Sequence, residues 1–137
     1  MKLEDFAVPE ELRYHPEHFW VRTTPKGLEV GWTDFAQATA GDVAFVELVA
    51  VGSSVEHDGH FGTLETGKWV GKLVCPVTGK VQAVNGELVR EPQQINSDPY
   101  GKGWLIRVQP RSPDATAHLM GATAYRDHLR RAIAEME

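Results

Sequence analysis

The stretch that decides the fold is FGTLETGKWVGKLVCPVTGKV, residues 61–81 of a 137-residue chain. Two strand-like runs flank Gly67 and Lys68, and a second turn signal runs from Pro76 to Gly79. Because glycine enters the left-handed backbone region without steric cost, we predict that Gly67 forms a tight hairpin turn with a positive φ. The pattern therefore predicts a hairpin with Lys68 at its tip, held on a short support by the following turn.

A lysine at the tip of a rigid hairpin suits covalent attachment of a carrier cofactor. Its four-methylene stem projects the ε-amine from the surface, and an amide formed there is durable. A tethered group searches successive partner sites locally, which raises its effective concentration. The alternative for any single lysine is an ordinary solvated side chain. Lys72, four residues on and predicted within the returning strand, is the weaker attachment candidate.

Short strand patterns separated by Gly, Pro, Asn, Asp and Ser continue on both sides of this hairpin. We predict strands at residues 19–22, 27–33, 43–48, 61–65, 69–75, 80–84 and 104–109. One short helix is predicted at residues 34–40, with Thr33 as its N-cap and Gly41 at its end. This spacing is typical of a mainly β fold, a small barrel or sandwich.

The pattern becomes helical after residue 110. Ser112 and Pro113 form a predicted cap and first helical position, and Gly121 is predicted to end that helix before a second one. In the second helix, apolar residues recur at helical spacing and should pack on the outside of the barrel: Ala122, Tyr125, Leu129 and Ile133. We predict a single domain, residues 1–137, with a core at about 14–110 and a helical tail at 112–135.

Composition argues against several functions. The chain has 14 basic and 19 acidic residues, a formal charge of −5 and no extended basic cluster, which disfavours a nucleic-acid partner. Its longest apolar runs are too short to cross a membrane. Cys75 is the single cysteine, and the N-terminal residues lack a secretion signal, so we expect a reduced, cytoplasmic location. We expect a monomer.

Several blocks along the chain resemble the H-protein family of the glycine cleavage system, within the lipoyl and biotinyl carrier superfamily. Beside the hairpin they are HFWV (18–21), GWTDFAQ (31–37), GDVAFVEL (41–48) and NSDPYGKGWL (96–105). The match covers about residues 14–129 in the right order. The resemblance implies a barrel-sandwich hybrid with peripheral helices and a lipoyl group amide-linked to Lys68. Pro76 is in register with the family's proline, eight residues after the lysine.

The resemblance also implies a function, that of a non-catalytic carrier. A lipoate ligase or lipoyl transferase would attach lipoate to Lys68. The resulting swinging arm would accept an aminomethyl group from a pyridoxal-phosphate glycine decarboxylase and yield it to a tetrahydrofolate-dependent aminomethyltransferase. A dihydrolipoamide dehydrogenase would then reoxidise the arm. The protein itself would contribute no catalytic acid or base.

The attachment turn differs from the usual Glu-Ser-Val-Lys-Ala of the family: here it reads ETGKW, residues 65–69. Glu65 either orients the attaching enzyme or is an exposed carboxylate at a strand end. Gly67 belongs to the scaffold of the turn. Trp69 either contacts the arm or a partner, or fills the hairpin as a cross-strand aromatic residue.

The altered turn leaves three alternatives to glycine cleavage. The first is an H-like lipoate-binding protein of sulfur oxidation, which would carry a sulfur intermediate to a heterodisulfide-reductase-like complex. The second is a biotinyl carrier, disfavoured because that family flanks its lysine with methionines. The third is an unmodified scaffold that kept the fold.

Two His-x-x-His pairs, His15 with His18 and His57 with His60, offer a weak metal signal. Neither pair has the further ligands that a structural zinc site needs, so we predict surface histidines and no metal site. Cys75, at the end of an apolar strand, is predicted to be a buried inert thiol. The three other tryptophans are predicted core residues: Trp20, Trp32 and Trp104.

Overall fold

A computed structural model describes all 137 residues. Nine strands form two antiparallel sheets: β1 (Arg13–His15), β2 (Phe19–Thr24), β3 (Gly27–Trp32), β4 (Val43–Leu48), β5 (Ser54–Val55), β6 (His60–Thr66), β7 (Val70–Val74), β8 (Gly79–Val84) and β9 (Ile106–Pro110). Three α-helices accompany them: α1 (Asp34–Ala40), α2 (Gln94–Ser97) and α3 (Ala122–Met136). Short 3-10 turns lie at Leu3–Asp5 and Gly86–Val89.

The larger sheet has the strand order β1-β2-β3-β9-β8-β5, and the smaller one β4-β6-β7. Apolar side chains from both sheets meet in one cluster of 22 buried residues, which includes Val30 of the larger sheet and Leu64 of the smaller. Such a core between two half-apolar sheets is the stable arrangement for strands that each bury one face. The mainly β architecture predicted from the sequence is therefore present.

The seven predicted strands are all present; β4 has the predicted bounds and the other six have shifted ends. β7 begins at Val70 because the carbonyl of Trp69 closes the preceding turn. β9 begins at Ile106 because the N–H of Trp104 donates to Gly101 within another turn. The sequence missed β1 and β5, which are too short to show an alternating pattern.

Helix α1 begins and ends at the predicted residues. The Thr33 hydroxyl accepts the N–H of Ala36 at 3.2 Å, which satisfies one of the free donors of the first turn. Gly41 has a φ of 92°, and its N–H donates to the carbonyl of Gln37. Because this left-handed conformation favours glycine, Gly41 ends the helix and turns the chain into β4.

Helix α3 covers the outer side of the larger sheet with a second cluster of eight buried residues. Its four predicted apolar positions are all buried: Ala122, Tyr125, Leu129 and Ile133. The ring of Tyr125 stacks on that of Tyr14 in β1, with centroids 4.4 Å apart. Trp20 is fully buried in the same cluster, whereas Trp104 is only half-buried. No helix has the length and apolar character needed to span a membrane.

The predicted helix at residues 112–120 is wrong. This segment instead makes successive turns, in which Ala117 bonds to Asp114 and Leu119 to Thr116. At its end, Met120 exchanges two backbone hydrogen bonds with Tyr14, at 2.8 and 2.9 Å. Pairing with β1 requires extended backbone, so the helix that Pro113 and the preceding cap residue favour locally cannot continue.

His18 joins α3 to the larger sheet, contrary to its predicted place on the surface. It has a positive φ of 72°, and its Nδ1 lies 2.7 Å from the Tyr125 hydroxyl, which lies 3.1 Å from Thr33 Oγ1. A neutral ring fits this arrangement, because Thr33 can then donate to Tyr125 and Tyr125 to His18. Burial, and secondarily the charge of His128, lower the His18 pKa from 6.5 to about 4.

Mild acid is expected to destabilise the protein through His18. Between its unfolded pKa of 6.5 and its folded pKa of about 4, the unfolded chain binds a proton that the folded chain does not. The free energy of unfolding should therefore fall as the pH drops through this interval, by at most about 3 kcal/mol. Chemical denaturation at pH 7 and at pH 4.5 measures the loss.

The matched variant is His18→Asn, since asparagine tolerates a positive φ and does not titrate. It should show a flatter dependence of stability on pH over the same interval. An equal loss of stability in the wild type and in His18→Asn would assign the acid sensitivity to other groups.

Candidate functional site

The candidate site is the hairpin between β6 and β7. Glu65 pairs with Val70 at its base, and the N–H of Thr66 donates to the carbonyl of Trp69 at 2.8 Å. This hydrogen bond closes a four-residue turn, so Lys68 lies at the tip as the sequence predicts.

Thr66 holds this turn in place and was missed by the sequence analysis. Its Oγ1 accepts the backbone N–H groups of Lys68 at 3.2 Å and Trp69 at 3.0 Å. The same hydroxyl donates to the carbonyl of Ala40, the last residue of α1, at 2.6 Å. Thr66 is buried. One hydroxyl therefore both shapes the turn and fixes it to the end of α1.

Replacing Thr66 with valine is expected to loosen the turn. Valine has nearly the same shape but no hydroxyl, so two N–H groups lose their acceptor and the Ala40 carbonyl loses its donor. We expect the free energy of unfolding to fall by about 1–2 kcal/mol in chemical denaturation. Thr66→Ser keeps the hydroxyl and should lose less. A loss in Thr66→Ser with none in Thr66→Val would show that the methyl group of Thr66 matters rather than its hydrogen bonds.

The predicted positive φ at Gly67 is wrong. The glycines with left-handed backbone lie elsewhere, and a Cβ placed on Gly67 would meet no atom within 4 Å. The Thr66 hydroxyl, rather than a left-handed glycine, makes the turn possible. Gly67 therefore leaves open space beside Lys68, and a side chain at this position would not be strained.

The Lys68 side chain is exposed, and its amine has no hydrogen bond or ion pair. Its methylene stem lies over the end of α1: a Cβ on Gly41 would be only 2.9 Å from Lys68 Cε. Glu65 is also exposed and unpaired. Lys72 lies within β7 opposite Thr63, away from the tip.

Trp69 lies beside the lysine and fills part of the hairpin. Its ring covers Gly71, where an added Cβ would lie 2.3 Å from a ring carbon. The ring centroid is 5.5 Å from that of the buried Trp32. With 38% of its surface exposed, Trp69 packs against Gly71 of the strand that follows it and still presents an aromatic edge next to Lys68.

The remaining candidates form no cofactor site. His15 is buried, contrary to its predicted surface position, and its Nε2 lies 2.6 Å from Asp58, whereas His57 and His60 are exposed. No group of three or more His, Cys, Asp or Glu residues is placed to hold a metal ion. The buried Cys75 thiol has a pKa raised to about 11 by burial, which keeps it protonated and unreactive.

Two facing antiparallel sheets with a free lysine at a hairpin tip are the arrangement that the resemblance to lipoyl and biotinyl carriers implies. The family model described as glycine cleavage H-protein matches residues 12–132. The chain belongs to this family.

The relatives agree with this assignment. The glycine cleavage system H protein of Mycolicibacterium vanbaalenii is 47% identical over 126 residues, covering 89% of this chain and 96% of that protein. That of Halalkalibacterium halodurans is 44% identical, covering 89% and 95%. A crystal structure of the H protein from Mycobacterium marinum superposes with a TM-score of 0.81 at 33% identity, covering 90% of this chain and 99% of the other.

These similarities confirm the barrel-sandwich hybrid fold and the resemblance to H proteins. Family membership makes the chain a carrier protein of glycine cleavage rather than a catalyst. Nothing in the comparisons favours the sulfur-oxidation alternative.

Proposed function

We propose that this chain carries lipoate on Lys68 and serves glycine cleavage as its mobile arm. The observation that carries the proposal is the unpaired, exposed amine of Lys68 at the tip of a turn that is itself fixed. A site for repeated presentation to other enzymes needs both properties: a reachable amine and a support that does not move with it.

The surroundings of Lys68 fit an acylated lysine. Gly67 leaves the tip open, and Gly41 leaves room for the methylene stem. Thr66 holds the backbone of the attachment residue, and no carboxylate competes for the amine. When bound, lipoate would supply a two-electron disulfide and dithiol couple that accepts and releases the carried group. The chain would supply position and a surface for docking.

The proposed partners follow from the family. Lys68 would be modified by a lipoate ligase or a lipoyl transferase. The hairpin would then present its arm in turn to a pyridoxal-phosphate glycine decarboxylase, an aminomethyltransferase and a dihydrolipoamide dehydrogenase, with an aminomethyl group as the cargo. No side chain near Lys68 needs to act as an acid or base for this role, because the enzymes supply the catalytic groups.

Intact mass spectrometry tests the attachment. The purified full chain is incubated with lipoate, ATP and a lipoate ligase, and a parallel sample receives biotin and a biotin ligase. We expect the mass increment of one lipoyl group in the first sample, mapped to Lys68 by peptide sequencing, and none in the second. A bare polypeptide mass in both samples would contradict the proposal, and a biotin increment would support the biotinyl alternative.

A further inference from the structure

An apolar groove of about 330 Å³ lies between β4 and the segment that follows β8. Its walls include Phe45, Leu48, Val84, Leu88, Val89 and Pro92. Two of these side chains remain open to solvent, Phe45 with 51% and Val89 with 81% of its surface exposed. Large apolar side chains grouped beside a concave surface are typical of a site that another molecule covers.

This groove is continuous with the Lys68 hairpin. Phe45 lies opposite Glu65, which lies opposite Val70, so the three side chains form one row on the same face of the smaller sheet. Val70 is 72% exposed and only two residues from Lys68. Neighbouring strands are about 4.8 Å apart, so Phe45 lies about 10 Å from Val70 across the sheet.

Two carboxylates without an ion-pair partner lie on this face: Glu47 in the groove wall and Glu65 in the row beside it, both exposed. One basic side chain, Lys72, is exposed on the same face, opposite Thr63 in the next row. The carboxylate of Glu87 is paired with a basic group, Arg90, at 2.6 Å. A partner that covers this face must place positive charge near Glu47 and Glu65, because negative charge on the partner would be repelled by these two carboxylates.

We define the Phe45 surface as Phe45, Val70, Val89 and the groove walls. The geometry points to one role for this surface: enzymes that bind the Lys68 side chain dock on it. The occupant is a partner protein with an apolar projection ringed by Lys or Arg beside its active-site entrance. The inference rests on the proposed function, since an enzyme that encloses the tip of the hairpin must also cover the row at its base. Apolar contact would hold the complex, and the carboxylates of Glu47 and Glu65 would steer it.

Steady-state lipoylation of the full chain by a purified lipoate ligase tests this surface. Val89→Lys is compared with Val51→Lys. Val51 is another exposed valine, which follows the C-terminal end of β4 and is not part of the Phe45 surface. We expect the KM for the carrier to rise about tenfold for Val89→Lys at unchanged kcat, and to stay within about twofold for Val51→Lys. Thermal unfolding confirms that both variants fold.

A second pair tests the charge of this face. Glu47→Lys should raise KM several-fold, with a smaller effect at high salt, whereas Glu56→Lys, at an exposed site outside the surface, should not. Equal kinetics for each variant and its control would overturn the inference and leave the attachment site intact. Failure of the wild type itself to accept lipoate would instead count against the proposed function.

Measurements without any enzyme distinguish a partner enzyme from two other possible occupants of the groove, a second copy of the chain and the lipoyl arm. If a second copy of the chain covered the groove, gel filtration at high concentration would show a dimer that Val89→Lys abolishes. If the lipoyl arm itself lay in the groove, Val89→Lys would change the rate at which a small phosphine reduces the isolated lipoylated protein. Either result would overturn the assignment to a partner enzyme. We expect a monomer and an unchanged rate.

Discussion

Replacing Lys68 with arginine is expected to abolish carrier activity completely while leaving the fold unchanged. A guanidinium stays protonated and is not acylated, so no lipoyl group can be attached. The folded state loses little, because the Lys68 side chain is exposed and makes no hydrogen bond or ion pair. Intact mass after treatment with lipoate ligase, together with glycine-dependent NAD reduction by the reconstituted enzymes, measures the effect.

The matched control is Lys72→Arg, an exposed lysine four residues further on within β7. It should accept lipoate and support glycine-dependent turnover at nearly the wild-type rate. A lipoylated Lys68→Arg variant, or loss of modification in Lys72→Arg alone, would show that the attachment residue is wrongly assigned. Unchanged thermal unfolding in both variants would separate loss of function from loss of structure.

Leu129→Ala is expected to produce the largest loss of stability. Leu129 is fully buried in the second cluster, where α3 packs on the larger sheet beside Tyr14 and Trp20. Truncation removes buried apolar surface and leaves a cavity that neighbouring aromatic rings cannot fill. The free energy of unfolding should fall by about 2–5 kcal/mol. Urea denaturation at pH 7 measures the change.

Arg131→Ala on the same helix serves as the control, because Arg131 is exposed and has no ion pair. Its free energy of unfolding should change by no more than about 0.5 kcal/mol. If Leu129→Ala were as stable as this control, α3 would contribute nothing to the folded core. A broad transition in Leu129→Ala, with the helical signal lost first, would show that α3 unfolds separately from the sheets.

The parts of the fold that depend on local signals were predictable. Thr33 and Gly41 bound α1 because capping and the left-handed conformation act within a few residues. The apolar positions of α3 follow from helical spacing alone. The hairpin that carries Lys68 is equally local, since two strands and a four-residue turn are contiguous in the chain.

Other features depend on contacts between residues that are distant in sequence. Thr66 has its role because α1 ends beside it, 26 residues earlier in the chain, and a threonine in a strand gives no sign of that. Residues 112–120 favour a helix locally, but pairing with Tyr14 prevents it. His18 is half-buried because Tyr125, 107 residues later, binds its ring. Periodicity carries no information about such partners.

The contact between the Lys68 stem and Gly41 limits the directions in which anything attached to the amine can leave the surface. A lysine on an unsupported loop rotates about every bond of its side chain, and its end samples nearly a hemisphere. Here the glycine main chain blocks some of those rotations as far as Cε. A group joined to the amine would therefore sweep a restricted sector on one side of the hairpin. Gly41→Ala would push the stem away and redirect that sector.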